Sequence, residues 1–231
     1  NAIRKRTDAA IQVIYQYRFR PWRLIWGLGD HLWLTSYNCR SVRSRGIFTR
    51  ETIKFLLGMI ANDSKLKVVS LGSGSASQML QGVAENGFKN SEIDVILVDN
   101  DFRALEVGRK NARCLGIEDI IDLRETTVGK FLKEADASIN LIEMVWLTDY
   151  FDDDRFFSYL CGIHSALKEK GFFLGANITS KEESDYAHGV ACWPRMYYRK
   201  KEEILENLKR SGFKEIWTGD CGLYTICIAQ K

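Results

Sequence analysis

The sequence predicts an α/β fold: a doubly wound, seven-stranded sheet, mostly parallel, that closes on an antiparallel hairpin strand and follows an N-terminal helical segment. Three observations predict it. From Lys65 onward, short apolar and β-branched runs alternate with helix-length stretches, the pattern of parallel strands joined by crossover helices. The first such run passes directly into Gly72-Ser73-Gly74. The chain then finishes on two strand-like runs, Lys214–Thr218 and Leu223–Ala229, around the turn Gly219–Gly222. A closing hairpin makes the last strand antiparallel, whereas an ordinary dinucleotide-binding domain continues by parallel crossovers.

Residues 8–20 read as an amphipathic helix with Ile11, Ile14, Tyr15 and Phe19 on one face, broken by Pro21 and Gly27-Leu28-Gly29. Residues 30–60 predict one or two further helices, with a helix start at Thr49 and an apolar stripe of Phe55, Leu56, Met59 and Ile60. Strands follow at Leu66–Leu71, Ile93–Val98, Ile120–Arg124, Ser138–Ile142 and Phe172–Ala176. Helices over 75–87, 102–115, 127–135, 152–169 and 200–211 accompany them, three stopped by Gly87, Gly116 and Gly212. The chain therefore divides into a helical, basic and aromatic cap over 1–60 and an α/β domain over 61–231.

Bulk properties narrow the function classes. A 45% hydrophobic and 27% charged composition is ordinary for a globular domain, and no apolar run is long enough to span a bilayer. The basic start at Arg4-Lys5-Arg6 leads into an aromatic, Arg-interrupted stretch rather than a secretory signal. Six cysteines without a C-x-x-C pair suggest neither zinc nor a disulfide framework, so a cytoplasmic protein with reduced thiols and no metal is expected. The net charge of +3 is uneven: residues 1–50 hold ten Lys/Arg against two Asp/Glu. That excess suits an anionic ligand, nucleic acid or a membrane surface, and it equally suits a solvated helix face.

The chemistry-bearing signal is Val68-Val69-Ser70-Leu71-Gly72-Ser73-Gly74-Ser75-Ala76. Glycines at 72 and 74 let the backbone turn tightly and approach a ligand, and the following helix start favours an anionic group. The dinucleotide pattern G-x-G-x-x-G fails because its third position is Ser77. A second signal is Asp99, in Val98-Asp99-Asn100-Asp101, where the second strand ends. In such folds a carboxylate there lies across the glycine turn and takes both ribose hydroxyls. Asp99 also reads as a helix N-cap, a role that Asp101 fills equally well.

Over residues 65–231 the sequence resembles class I (Rossmann-like) S-adenosylmethionine-dependent methyltransferases, in VVSLGSGSA, VDNDFRALEVGRKNA and SGFKEIWTGDCGLYTICIA. With YNCRSVRSR at 37–45 and WPRMYYR it looks closest to a sparsely characterised bacterial branch. The resemblance implies S-adenosylmethionine as cofactor, held by Gly72, Ser73, Gly74, Ser75, Asp99 and Asn100, with Thr126 and Thr127 bracketing the adenine. The two threonines also read as caps of the next helix. Two positions depart from the family: Ala76 stands for the third glycine of the loop, and Ser70 for an acid that would meet the cofactor's amino group. Glu143 or backbone carbonyls are the replacements the resemblance suggests.

The resemblance also implies that residues 143–150 face the methionine end of the cofactor and the substrate. Trp146 and Tyr150, or else core residues, are the candidates there, joined by Trp193, Tyr197 and Tyr198 from the long loop over 177–199. Glu143, Asp149 and His188 are candidate general bases, needed only if the acceptor keeps its proton. The expected activity is methyl transfer to the O, N or C atom of a small molecule, with RNA or protein as alternative acceptors. A short-chain dehydrogenase, suggested by Tyr197-x-x-x-Lys201, conflicts with a glycine loop 70 residues into the chain. A non-catalytic module gripping RNA or membrane would use Arg18, Arg20, Arg23, Arg40, Arg43 and Arg45 with interleaved aromatics.

Overall fold

The computed structural model describes residues 14, 15, 32, 34–61, 65–181 and 196–231. A long helix, α1 (Tyr37–Ile60), leads into β1 (Leu66–Leu71), α2 (Ser77–Ala84), β2 (Ile93–Asp99), α3 (Phe102–Cys114), β3 (Ile121–Glu125) and α4 (Val128–Glu134). Then come β4 (Ile139–Met144), α5 (Asp153–Ala166), β5 (Leu167–Ile178), α6 (Lys201–Arg210), β6 (Glu215–Cys221) and β7 (Tyr224–Gln230). The seven strands form one sheet in the order β3-β2-β1-β4-β5-β7-β6. β1 to β5 pair in parallel, and β7 runs antiparallel to both β5 and β6. The strand order reverses between β1 and β4, and folds of this kind take their ligands in the crevice beyond the strand ends at that point.

Strand periodicity places the core on both faces. Val68, Leu141, Phe172 and Leu174 point to one side, against Ile53 and Leu57 of α1, Leu80 of α2 and Leu105 of α3. Val69, Ile142 and Phe173 point to the other, against Phe156 and Leu160 of α5 and Leu208 of α6. Both faces are thus covered by helices, as a parallel sheet requires.

Element boundaries differ from expectation in two instructive places. Thr49 starts no helix: α1 runs through it, and its hydroxyl donates back to the Arg45 carbonyl at 2.8 Å. The start lies at Ser36, whose side chain accepts from Cys39 N–H. α5 ends at Ala166, and β5 begins at Leu167, five residues before the apolar run at Phe172. The charged stretch Lys168-Glu169-Lys170, whose composition reads as helix, lies where the β4–β5 register shifts between Leu167 and Phe172, with Lys170 at φ of +63°. The expected helix over 8–20 lies outside the described residues except for Ile14 and Tyr15, which are helical.

A third apolar cluster joins the N-terminal segment to the carboxyl ends of the strands. Ile14, Leu34, Cys39 and Val42 pack with Ile178, Met196, Leu223 and Tyr224. Among the described residues no helix is long and apolar enough to cross a membrane.

Candidate cofactor and acceptor site

The glycine turn takes the backbone its sequence calls for. Gly72 and Gly74 have φ of +64° and +51°, in the left-handed region that glycine enters without penalty. A Cβ on Gly72 would also come within 2.6 Å of Leu147, so the segment after β4 packs directly on the turn. Ala76 shares the left-handed conformation, with φ of +48°, immediately before α2. An L-residue with a Cβ is strained there, so Ala76→Gly is expected to stabilise the chain by about 0.5–1 kcal/mol, read as a higher urea midpoint.

The two acids after β2 divide their roles. Asp101 caps α3, accepting from Arg103 N–H at 2.9 Å. Asp99 accepts from Gly74 N–H at 2.8 Å through Oδ2 and from Asp101 N–H at 3.0 Å through Oδ1. Its carboxylate is therefore fixed against the glycine turn at the mouth of the sheet. Beside it the Ser73 hydroxyl is buried and has no hydrogen-bond partner. Asn100 is exposed, and Ser75 is buried with its carbonyl accepting from Asn111 Nδ2 at 2.9 Å. Thr126 N–H donates to the Asp99 carbonyl at 3.0 Å, while Thr127 Oγ1 accepts from Lys130 N–H at 3.3 Å as the cap of α4.

Ser70 and Glu143 are register partners on β1 and β4. The Ser70 hydroxyl donates to Glu143 Oε2 at 2.5 Å, and Val145 N–H donates to Oε1 at 2.9 Å. Burial pushes the Glu143 carboxyl above its ordinary range, against these two hydrogen bonds. A carboxyl whose pKa is higher folded than unfolded adds stability below the unfolded value and loses it as pH rises through the folded value. Glu143→Gln is therefore expected to raise stability near neutral pH by about 1–2 kcal/mol and to match the wild type near pH 4, as urea unfolding across pH would show.

Asp149 lies in the turn Thr148–Tyr150 and is buried. Its Oδ1 accepts from Ile178 N–H at 2.6 Å, and its Oδ2 pairs with Arg45 Nη1 at 3.2 Å. Arg45 comes from α1 and is only 4% exposed. The ring centroids of Trp146 and Tyr224 lie 3.9 and 3.8 Å from its Cζ, on the guanidinium. Burial opposes its charge, but Tyr224 and Asp149 hold it above the usual arginine value. This corrects one sequence expectation: Arg45, grouped with arginines that could grip nucleic acid, is interior and paired with Asp149.

A second buried arginine, Arg199, ties the same region together. It donates to the carbonyls of Thr148 and Phe151, to Asn177 Oδ1 at 2.8 Å and to Asp153 Oδ1 at 2.9 Å. Trp146 is part-buried, edge-on to Tyr15 with centroids 5.5 Å apart. Tyr150 and Tyr198 pack on the same cluster, whereas Tyr197 is 40% exposed. His188 and Trp193 lie outside the described residues. An open cavity of about 900 Å³ between α4 and α5 shares only Thr127 with the candidate residues.

Sequence reasoning missed the roles of Arg45, Arg199, Asn177 and Tyr224. Arg45 carried a signal: Val42, Arg45, Thr49, Ile53 and Leu56 recur at helical spacing, so the arginine stands on the buried face of α1.

No family model matches the sequence, and no curated protein matches it. Solved structures do. A protein of Bordetella parapertussis, described as a possible exported protein, superposes with a TM-score of 0.77 over 97% of this chain and 79% of its own, at 15% identity. The 1,6-didemethyltoxoflavin-N1-methyltransferase of Burkholderia thailandensis, solved with 1,6-didemethyltoxoflavin and S-adenosylhomocysteine, gives 0.58 over 93% and 92%, at 16% identity. An O-methyltransferase family protein of the same organism gives 0.63 at 11% identity, with this chain covering 59% of its length. The fold is that of the class I S-adenosylmethionine-dependent methyltransferases. The order β3-β2-β1-β4-β5-β7-β6, with β7 antiparallel, carries the likeness, and this methyltransferase fold places Gly72, Gly74 and Asp99 at its strand ends.

Proposed function

We propose that the chain is an S-adenosylmethionine-dependent methyltransferase acting on a small molecule. The observation that carries this reading is the Asp99 carboxylate, fixed against Gly74 beside the buried, unpartnered hydroxyl of Ser73. A buried donor without a partner costs free energy, so an orphan hydroxyl in a glycine turn fits a ligand group. Gly72, Ser73, Gly74, Ser75, Asp99 and Asn100 would hold the ribose and methionine portions of the cofactor, with Thr126 and Thr127 near the adenine. When bound, S-adenosylmethionine supplies a methyl group already activated on a sulfonium.

The protein's own contribution is alignment and water exclusion. Glu143 and Asp149 have both carboxylate oxygens engaged, which suits them to hold the segment after β4 in place rather than to take a proton. Trp146, Tyr150 and Tyr198 would face the acceptor from beneath the cap. The packing of Ile14, Leu34 and Val42 onto Ile178 and Tyr224 closes this end of the sheet and favours a small acceptor over a macromolecule. The free thiols of Cys114, Cys161, Cys221 and Cys227 suit a reducing cytoplasm.

Calorimetric titration of S-adenosylhomocysteine tests the reading, with NADH as control. Micromolar binding of the first alone is expected. Binding of NADH instead, or of neither, would refute it.

A further inference from the structure

Arg45 carries more donors than the protein satisfies. Nη1 donates to Asp149 Oδ2 at 3.2 Å and to the Val145 carbonyl at 3.4 Å. Nε is buried with no partner, and among the described residues no acceptor meets Nη2. Nε–H and an Nη–H leave one edge of a guanidinium side by side, the fork that matches the two oxygens of a carboxylate. An interior N–H left without an acceptor costs about 1–3 kcal/mol, and folded proteins keep few. The ion pair with Asp149 is single-contact and longer than the usual 2.7–2.9 Å of such bonds, so it leaves that edge unsaturated.

The surroundings restrict what completes the fork. Trp146 and Tyr224 lie against the guanidinium, with ring centroids 3.9 and 3.8 Å from Cζ, so a partner for the free edge has to enter in the guanidinium plane, as into a slot. A carboxylate puts both its oxygens in the guanidinium plane, whereas a tetrahedral phosphate carries two further oxygens out of that plane towards the ring faces. The slot is also remote from the ribose carboxylate. Arg45 meets the segment after β4 and the start of β7, while Asp99 ends β2, and β1, β4 and β5 stand between β2 and β7. At about 4.8 Å per strand, the four spacings from β2 to β7 make that separation on the order of 19 Å.

We propose that the free edge of Arg45 anchors a carboxylate carried by the methyl acceptor, so that the substrate is a planar, conjugated or aromatic acid. This rests on the methyltransferase reading above. The carboxylate is the anchor; the methylated atom lies elsewhere on the acceptor.

Benzoate is the probe, benzamide its neutral isostere, and Arg45→Lys the variant, because lysine keeps the charge beside Asp149 but lacks the fork. Calorimetry is done on the full chain, free and saturated with S-adenosylhomocysteine. The expected result is that wild type binds benzoate at least tenfold tighter than benzamide, and that R45K loses this preference. Benzoate binding equally to wild type and R45K, or to neither, overturns the proposal. The cofactor's own amino-acid carboxylate is the other source of the same chemistry. If R45K weakens S-adenosylhomocysteine tenfold but leaves 5′-methylthioadenosine unchanged, the fork belongs to the cofactor and the acceptor assignment is overturned. Arg45-dependent benzoate binding in a protein that ignores S-adenosylhomocysteine would keep the carboxylate site and refute the methyltransferase instead. Should R45K fail to fold, the Arg45 Nε–H resonance of the wild type decides: benzoate shifts it and benzamide does not, or the proposal falls.

Discussion

Asp99→Ala is expected to weaken S-adenosylhomocysteine binding at least 100-fold while the protein remains folded. A hydrogen bond to a charged group contributes about 1.5–3 kcal/mol, and the proposed role gives Asp99 two of them, one to each ribose hydroxyl. Their loss corresponds to a factor of 100 or more in affinity. The substitution also removes the acceptor for Gly74 N–H and Asp101 N–H, so the turn itself loosens. Asp99 is only part-buried, and water can reach the N–H groups it leaves, which limits the cost in stability to about 1–2 kcal/mol. Asp99→Asn separates the two effects. An amide keeps one acceptor oxygen for the turn but presents a donor on the other arm, so its affinity is expected to fall between the two. Calorimetry for binding and urea unfolding for stability provide both readouts. Unchanged affinity in Asp99→Ala would remove Asp99 from the cofactor site.

How much of this was legible in the sequence depends on the range of the interaction concerned. The glycine turn and Asp99 are local: a strand, a tight turn and the residue ending the next strand are all written within a few positions. The parallel strands and the antiparallel β7 followed from alternation and a closing hairpin, which are also short-range patterns. The Ser70–Glu143 link was not legible, because it depends on β1 and β4 being neighbours across 73 residues. Ser70 looked like the loss of an acid; the structure shows a hydroxyl bonded to an acid on the adjacent strand. Arg45 misled for a related reason. Its charge reads as surface, and only α1 continuing through Thr49 turns it onto the buried face. Lys168–Lys170 misled in the opposite direction, since this polar run sits in the register shift between Leu167 and Phe172, the β5 residues that pair with β4. Local chemistry was readable, and partners brought together by the sheet were not.

The same long-range pairing sets the largest expected effect on stability. Asp149→Ala is expected to cost about 3–5 kcal/mol, because it leaves the Arg45 cation buried without its counter-charge and Ile178 N–H without its acceptor. Arginine cannot escape by losing its proton, so the stranded Arg45 charge persists from pH 5 to pH 8. Arg45→Met behaves differently. It strands the Asp149 carboxyl, whose pKa burial already pushes above the ordinary range, and without the Arg45 cation the pKa rises further. The folded value then exceeds the unfolded one, so the variant is most stable at acid pH and loses stability as pH rises through the folded value. Replacing both residues, as Arg45→Met with Asp149→Ala, removes the stranded charge and is expected to recover at least about 2 kcal/mol of the Asp149→Ala loss. Urea unfolding of the four proteins at pH 5, 6.5 and 8 measures the cycle. If the single substitutions simply add, with no dependence on pH, Arg45 and Asp149 are not coupled in solution. The N-terminal segment would then be held by apolar packing alone, Ile14, Leu34 and Val42 on Ile178 and Tyr224 and Ile53 and Leu57 in the sheet core. With the coupling present, one buried ion pair fixes α1 against the segment after β4.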